Sequence, residues 1–341
     1  MSIAVLIQGS TPLAGWLAAK LHPGYRVTWL ADETIQARIQ AKGVQIEGRI
    51  VSDLNIITAL KDIGKPDVIL LAMPGWALAN AVLRLRNHIA LDESPPVMVS
   101  MQIGVGGLQR VESVFGTDHT LTAVPTRKFR FAIDARGETL YELILPDDFG
   151  GVAVQSNHPY TQMMLEMMGE AGFTAKPGRR DSILWSSVFW GIQGNALSAI
   201  LDIAPEQIYN DPNLFEIEHQ QLVEALGIIR KLNVPLITLP DVNVPLMARQ
   251  TEWIPRSLLS YFLKDCLRPP LLQDELRGQN GRSEAAYLNG AVAVHADQMN
   301  LRTPVNHALA LITTDIAEGR VLWSQYKDNP EMLHVTLRLA R

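Results

Sequence analysis

The run Ile3–Ile7 constrains the fold of this chain more than any other stretch. It is unbroken apolar sequence of strand length, the pattern of a strand buried on both faces of a sheet. Burial on both faces requires helices on both sides, and the following residues supply them. A turn at Gly9-Ser10-Thr11-Pro12 leads into a helical pattern over Leu13–Leu21, a strand over Arg26–Leu30 and a helix over Glu33–Ala41. Asp67–Ala72 and Val97–Met101 read as further buried strands. A helix over Trp76–Ile89 lies between them, and Pro95-Pro96 stops the chain before the second. Repeated units of this kind predict a parallel, doubly wound sheet.

The texture then changes. Alternating segments from Leu121 to Val154, with turn signals at Ala135-Arg136-Gly137 and Pro146-Asp147-Asp148-Phe149-Gly150, predict antiparallel strands closing the first domain. Tyr160–Ala171 reads as its last helix. Beyond Asp181 the pattern is helical: Ile183–Leu201, Leu214–Leu232, Val242–Gln250, Pro255–Cys266, Ser283–Met299 and Val305–Ile316. A chain of 341 residues suits two cores. The Lys176-Pro177-Gly178-Arg179-Arg180 turn divides an α/β, Rossmann-like doubly wound domain (1–180) from an all-helical domain (181–341).

Composition narrows the function classes. With 47% hydrophobic and 19% charged residues the chain reads as an ordinary folded protein. A net charge of −5 argues against a nucleic-acid partner, which needs a basic stripe. No apolar segment reaches the length that spans a bilayer, so no membrane partner is expected. Met1–Ile7 lacks a basic leader region and reads as a strand, not a signal peptide. The single cysteine, Cys266, precludes an internal disulfide framework and points to a reducing, cytoplasmic setting.

A dinucleotide turn after the first strand wants G-x-G-x-x-G, so that the backbone turns tightly and approaches the pyrophosphate. Here the run is Gly9-Ser10-Thr11-Pro12-Leu13-Ala14, with Thr11 in the second glycine place and Ala14 in the third. Gly9, Ser10, Thr11, Leu13 and Ala14 are therefore candidate cofactor contacts. The Thr11 hydroxyl is a possible donor to phosphate, while Pro12 suits a first helical turn but offers no amide. Asp32 closes the second strand. A carboxylate there accepts from ribose hydroxyls and repels a 2′-phosphate, favouring NAD over NADP. Asp32 and Glu33 equally suit a helix cap. Trp29 and Trp76 fall near strand ends, where they either line the nucleotide or pack.

Near the far end stand Tyr287-Leu288-Asn289-Gly290-Ala291-Val292 and Thr303-Pro304-Val305-Asn306, preceded by Leu272-Gln273-Asp274-Glu275-Leu276-Arg277-Gly278 and Ser283-Glu284. Together these resemble the C-terminal signature of the ketopantoate reductase (2-dehydropantoate 2-reductase) family. The resemblance implies a Rossmann-like domain with a helical substrate and dimerisation domain, a small-molecule substrate, a possible homodimer, and NAD or NADP delivering hydride to a 2-oxo acid. In that family, which serves pantothenate biosynthesis, a lysine protonates the developing alkoxide, and an acidic residue and asparagines hold the substrate.

Position by position, the match departs from the pattern. The lysine-bearing helix resembles Trp185–Ile200, anchored by Trp185, Asn195, Leu197 and Ala199. Ser187 then takes the lysine place and Gly191 that of the first asparagine, with Asn195 retained. Positions 187, 191 and 195 share one face of a continuous helix. In Gln102-Ile103-Gly104-Val105-Gly106, Ile103 replaces an asparagine. Met73-Pro74-Gly75 lacks a second lysine, and Pro270 stands for a serine. Glu284 matches the retained acidic residue.

The expected catalytic set is thus Glu284, Asn195 and Ser187, with Met73, Gln102 and Ile103 beside the cofactor. A serine carries no charge to stabilise an alkoxide, though it can donate a hydrogen bond or relay a proton through water. His158, His295 and His307 are alternative acids, since histidine as a residue type titrates near neutrality; His295 shares the predicted helix of Glu284. The leading expectation is an NAD(P)H-dependent reductase of a 2-oxo acid or related carbonyl. The alternatives are a non-catalytic ligand- or partner-binding descendant and an imine-reducing or opine-type dehydrogenase. The segment after Arg320, with Trp323 and Tyr326, has no role in this reading.

Overall fold

A computed structural model describes residues 2–89, 95–127, 129–133, 139–144, 150–264, 267, 271–278 and 281–339. Cys266, Pro270, and all but Gly150 of the two turn signals at 135–137 and 146–150 lie outside the described residues. The chain packs as two compact units, one of residues 2–102, 107–180 and 239–241, the other of 103–106, 181–238 and 242–339.

In the first unit the elements run β1 (Ala4–Gln8), α1 (Pro12–Leu21), β2 (Arg26–Leu30), α2 (Glu33–Lys42), β3 (Val44–Ile46), β4 (Arg49–Val51), β5 (Ile56–Ile57), β6 (Val68–Leu71), α3 (Gly75–Arg86), β7 (Val97–Ser100), α4 (Gly107–Phe115), β8 (Thr120–Pro125), β9 (Arg130–Ile133), β10 (Thr139–Ile144), β11 (Gly151–Gln155), α5 (Thr161–Glu170) and β12 (Thr174–Gly178). Eight strands form one sheet in the order β12-β11-β8-β7-β6-β1-β2-β5. Pairing is parallel throughout except between β8 and β11. Because alternate strand side chains point to opposite faces, Val5, Ile7, Val68, Leu70 and Val99 bury against α1 and α5 residues such as Trp16, Leu17 and Met164. Leu6, Ile69, Leu71 and Met98 bury on the other face with Leu78 and Val82 of α3 and Val111 of α4. The unit is α/β and doubly wound.

Sequence reading assigns no element to 43–66, yet β3 to β5 lie there. These strands are two or three residues long, too short for an alternation to register. β3 and β4 join β9 and β10 in a small second sheet. The expected antiparallel run after Leu121 is thus divided: β8 extends the main sheet in parallel with β7, and β9 and β10 pair elsewhere.

The second unit is helical, with α6 (Arg180–Gly191), α7 (Asn195–Leu201), α8 (Pro205–Asn210), α9 (Pro212–Lys231), α10 (Val244–Trp253), α11 (Arg256–Leu263), α12 (Leu271–Gly278), α13 (Asn289–Gln298), α14 (Pro304–Ala317) and α15 (Pro330–Leu339). Two expected helices are each broken. Ile183–Leu201 divides at Ile192-Gln193-Gly194, where Gly194 takes φ +61°. Ser283–Met299 divides at Leu288 into a 3₁₀ turn, Glu284–Tyr287, and α13. Both α6 and α7 are buried almost all round, so no polar face interrupts the pattern to mark the break. Among the described residues no helix is long and apolar enough to cross a membrane.

Candidate nucleotide turn and candidate active site

In the first unit, β1 lies between β2 and β6, so the strand order reverses beside β1. Ligands of open α/β sheets bind at such a switch point, outside the strand C-termini. The turn after β1 stands there, pressed against the end of β6. Gly9 adopts φ +142°, and a Cβ on it would lie 2.1 Å from the Ala72 carbonyl oxygen. Only glycine fits this approach. Thr11 caps α1: its Oγ1 accepts from Ala14 N at 3.2 Å and donates to Ala72 O at 2.7 Å. That proton is committed to the protein, which corrects the expectation of a hydroxyl donor to phosphate. Ser10 is exposed, and its Oγ accepts from Asp32 N at 3.1 Å.

Asp32 caps α2, with Oδ1 accepting from Ile35 N at 2.8 Å. The cap reading holds for this oxygen. Trp29 is fully buried in the core and donates from Nε1 to Gly9 O at 2.8 Å, so it supports the turn from beneath and does not line it. Leu13 is half-buried and packs on the core, and Ala14 is fully buried. Gln102, expected beside the cofactor, is consumed internally. Its Nε2 donates to Leu71 O at 2.9 Å and Met73 O at 3.3 Å, and its Oε1 accepts from Ser100. The Met73 carbonyl is held by that same amide.

His158 lies far from this turn in the sheet. It follows β11, whose end meets the start of the antiparallel β8, the edge opposite the strand C-termini. Desolvation pushes its pKa down, against the backbone carbonyls of Thr117 and Asp118. Its position removes it as an acid for chemistry at the Gly9 turn.

In the second unit the residues standing for the family's lysine and asparagines are brought together but closed over. Ser187 is fully buried; its Oγ donates to Leu184 O at 2.7 Å and accepts from Gly104 N at 3.1 Å. A hydroxyl spent on two backbone groups pins the Ile103–Gly106 loop and has no proton left to relay. Val105 N donates to Tyr287 O at 3.0 Å, fixing the same loop from the other side. At Gly191 an added Cβ would meet Leu288 Cδ2 at 3.0 Å and Ile103 Cγ2 at 3.3 Å. The space of the absent side chain is filled by these two.

Asn195 does not share a helix face with Ser187 and Gly191, because the helix breaks before it. Its Nδ2 donates to Gly191 O at 2.8 Å and its Oδ1 accepts from Leu272 N at 3.0 Å, so it bridges the break and anchors α12. Glu284 is buried in the 3₁₀ turn, begun by Ser283 Oγ accepting from Ala285 N, and its backbone N donates to Glu275 Oε2 at 2.8 Å. His295 belongs to α13, not to the element of Glu284; its ring meets Trp185 edge-on at 5.0 Å.

Sequence reasoning missed a buried polar network on α9. Glu218 is fully buried, and its Oε1 accepts from Gly194 N at 2.7 Å and Tyr209 Oη at 2.9 Å. Gln221 Nε2 donates to Glu218 Oε2 at 2.6 Å and to Ile192 O at 3.2 Å. Gln221 Oε1 accepts from Asn289 Nδ2 at 2.7 Å, which also reaches Asn306 Oδ1 at 2.9 Å. Glu224 accepts from Val305 N and Asn306 N at 3.0 and 2.9 Å. The asparagines of the L-N-G and T-P-V-N motifs are thus interior connectors. Burial pushes the Glu218 pKa up to about 7, against the lowering by Gly194, Tyr209 and Gln221. Polar residues three apart on an otherwise apolar helix stripe were the available signal.

A family model described as ketopantoate reductase PanE/ApbA matches residues 5–135, and one for the C terminal of ketopantoate reductase PanE/ApbA matches 181–316. A PanE/ApbA family ketopantoate reductase from Ralstonia eutropha JMP134 is 17% identical, with TM-score 0.76 over 93% of this chain and 99% of its own. D-mandelate dehydrogenase in a ternary structure with NADH and anilino(oxo)acetate is 16% identical, with TM-score 0.74 over 93% and 99%. A dimeric ketopantoate reductase from Staphylococcus aureus is 12% identical, with TM-score 0.63 over 94% and 100%. At these identities the structures show a shared fold. A search of curated proteins found no match.

Proposed function

We propose, from the premise that this chain belongs to the ketopantoate reductase PanE/ApbA family, that it is an NAD(P)H-dependent oxidoreductase acting on a 2-oxo acid or related carbonyl. The observation that carries the reading is the Gly9 turn at the strand switch point, where backbone occupies space that any side chain would fill. The turn fits a dinucleotide: Gly9 and the exposed Ser10 at the start of α1 would hold the pyrophosphate. Asp32 Oδ2 would accept from the ribose, favouring NAD. When bound, the nicotinamide supplies the hydride.

The chain's own residues do the rest. Glu284 orients the carbonyl substrate, and solvent delivers the proton to its oxygen. Asn195 and Ser187 are positioning residues, since their polar atoms hold Gly191, Leu272, Leu184 and Gly104.

Titration of the protein with NADH and NADPH, read by tryptophan quenching, tests this. NADH is expected to bind at least about tenfold tighter, a 1.4 kcal/mol preference. Asp32→Ala is expected to erase that preference and to cost about 1 kcal/mol of stability through the lost cap. Glu284→Ala is expected to leave NADH binding intact while lowering turnover of a responsive 2-oxo acid by roughly a hundredfold or more. Saturable binding of neither nucleotide would overturn the oxidoreductase reading. The alternative is a non-catalytic descendant, favoured by one observation: the Ser187 hydroxyl is buried and spent on backbone.

The helical unit also supports a homodimer. Trp253, Tyr261 and Leu258 on α10 and α11 are 82%, 74% and 57% exposed, an apolar group of the kind that subunit contacts cover. Trp253→Glu with Tyr261→Glu is expected to halve the mass seen by light scattering; an unchanged dimer would place the interface elsewhere.

A further inference from the structure

The family model ends at Ile316, and the residues beyond it close a helix end that would otherwise be bare. Helix α7 is seven residues long and wholly buried, so its four final carbonyls have no water to bond. Ser198 O is used by Asp202 N and by Ile203 N. The other three are met from the C-terminal segment. Trp323 Nε1 donates to both Ala199 O and Ile200 O at 3.0 Å, and Asp328 N donates to Leu201 O at 2.9 Å.

Asp202, the αL residue ending α7, joins the same segment to α12. Lys327 Nζ lies 2.9 Å from Asp202 Oδ2 and 3.8 Å from the centre of the Trp323 ring. Gln273 Nε2 and Arg277 Nη2, both on α12, reach Asp202 Oδ1 at 2.9 and 2.8 Å. Helix α12 is tied to α7 a second time by Asn195, and its Glu275 holds the backbone N of Glu284. The segment is itself anchored: Tyr326 is buried with its Oη 3.2 Å from Thr336 Oγ1, and Leu333 and Leu337 of α15 are buried.

We propose that residues 323–328 act as a clamp supplied from outside the helix, capping α7 and, through Asp202 and α12, setting the position of the Glu284 turn. Trp323 and Lys327 are its positioning residues. That Glu284 serves catalysis rests on the proposed function; the clamp does not, and amide exchange tests it without any substrate.

The experiment compares full-length Trp323→Phe and Lys327→Met with the parent protein by hydrogen exchange and mass spectrometry. Phenylalanine keeps a six-membered aromatic ring but loses the indole N–H and the five-membered ring that carries it, orphaning two buried carbonyls. Exchange in peptides covering 195–202, 271–278 and 284–288 is expected to quicken about 10- to 100-fold, with α9 and α14 unchanged. Ile229→Ala in α9 serves as a control that destabilises the unit from elsewhere and is expected not to select those peptides. Unchanged exchange at 271–288, or a uniform rise matching the control, would overturn the proposal. Should Trp323→Phe fail to fold, Lys327→Met alone distinguishes the same outcomes.

Discussion

Gly9→Ala is expected to abolish dinucleotide binding and to cost about 3 kcal/mol or more of stability. The cause is local and has no soft escape. A Cβ would sit 2.1 Å from Ala72 O and 2.8 Å from Ala72 C. That carbonyl is not free to retreat: Ala72 N is bonded to Gln8 O at 2.9 Å, and Thr11 Oγ1 donates to Ala72 O at 2.7 Å. Moving the turn instead breaks the Thr11 cap on α1 and the Trp29 bond to Gly9 O, both part of what aims the helix start. The backbone adds its own cost at φ +142°. Gly48→Ala is the matched control, since Gly48 has φ +75° and nothing within 4 Å of an added Cβ. It is expected to lose only about 1 kcal/mol and to keep nucleotide binding. Thermal unfolding and NADH titration of the two variants decide the matter: equal effects would remove the close approach as the explanation.

What could be read from the chain beforehand follows from which interactions are local. The strands of the doubly wound sheet show in Ile3–Ile7 and Asp67–Ala72 because burial on both faces leaves an apolar run in a single stretch. Asp32 shows as a cap for the same reason, its partner being three residues away. The breaks at 192–194 and Leu288 do not show, because residues on either side are buried whatever the backbone does. Ser187 invited a catalytic reading, and its partner Gly104 lies 83 residues away on a loop no spacing rule connects to it. The family's asparagine positions behave in the same way: Gly191 and Ile103 look like separate losses in sequence, whereas in space one fills the room the other vacates. Asn289 and Asn306 stand in the most recognisable motifs, and their chemistry is to tie α13 and α14 to α9.

That buried tie makes the second large expectation one of pH. Glu218 is held at about 7 in the folded protein against an ordinary 4.5, so the folded state binds this proton more tightly than the unfolded chain. Its stabilising effect is therefore complete below pH 4.5 and is lost as pH rises to about 7, a fall of about 3 kcal/mol. Burial sets the direction. The three donors act the other way and keep the shift from being larger, because a carboxylate accepts from Gly194, Tyr209 and Gln221 better than a neutral acid does. Tyr209→Phe removes one of them and is expected to move the loss of stability to higher pH. Glu218→Gln has no proton to release and is expected to flatten the profile between pH 5 and 7. It should also be less stable than the parent at pH 5, since its new amide would face the Gln221 amide donor 2.6 Å away. Denaturant unfolding across that range tests both. A slope that persists in Glu218→Gln would assign the titration to another group, and the α6–α7 break would then be held by a carboxylate that stays ionised.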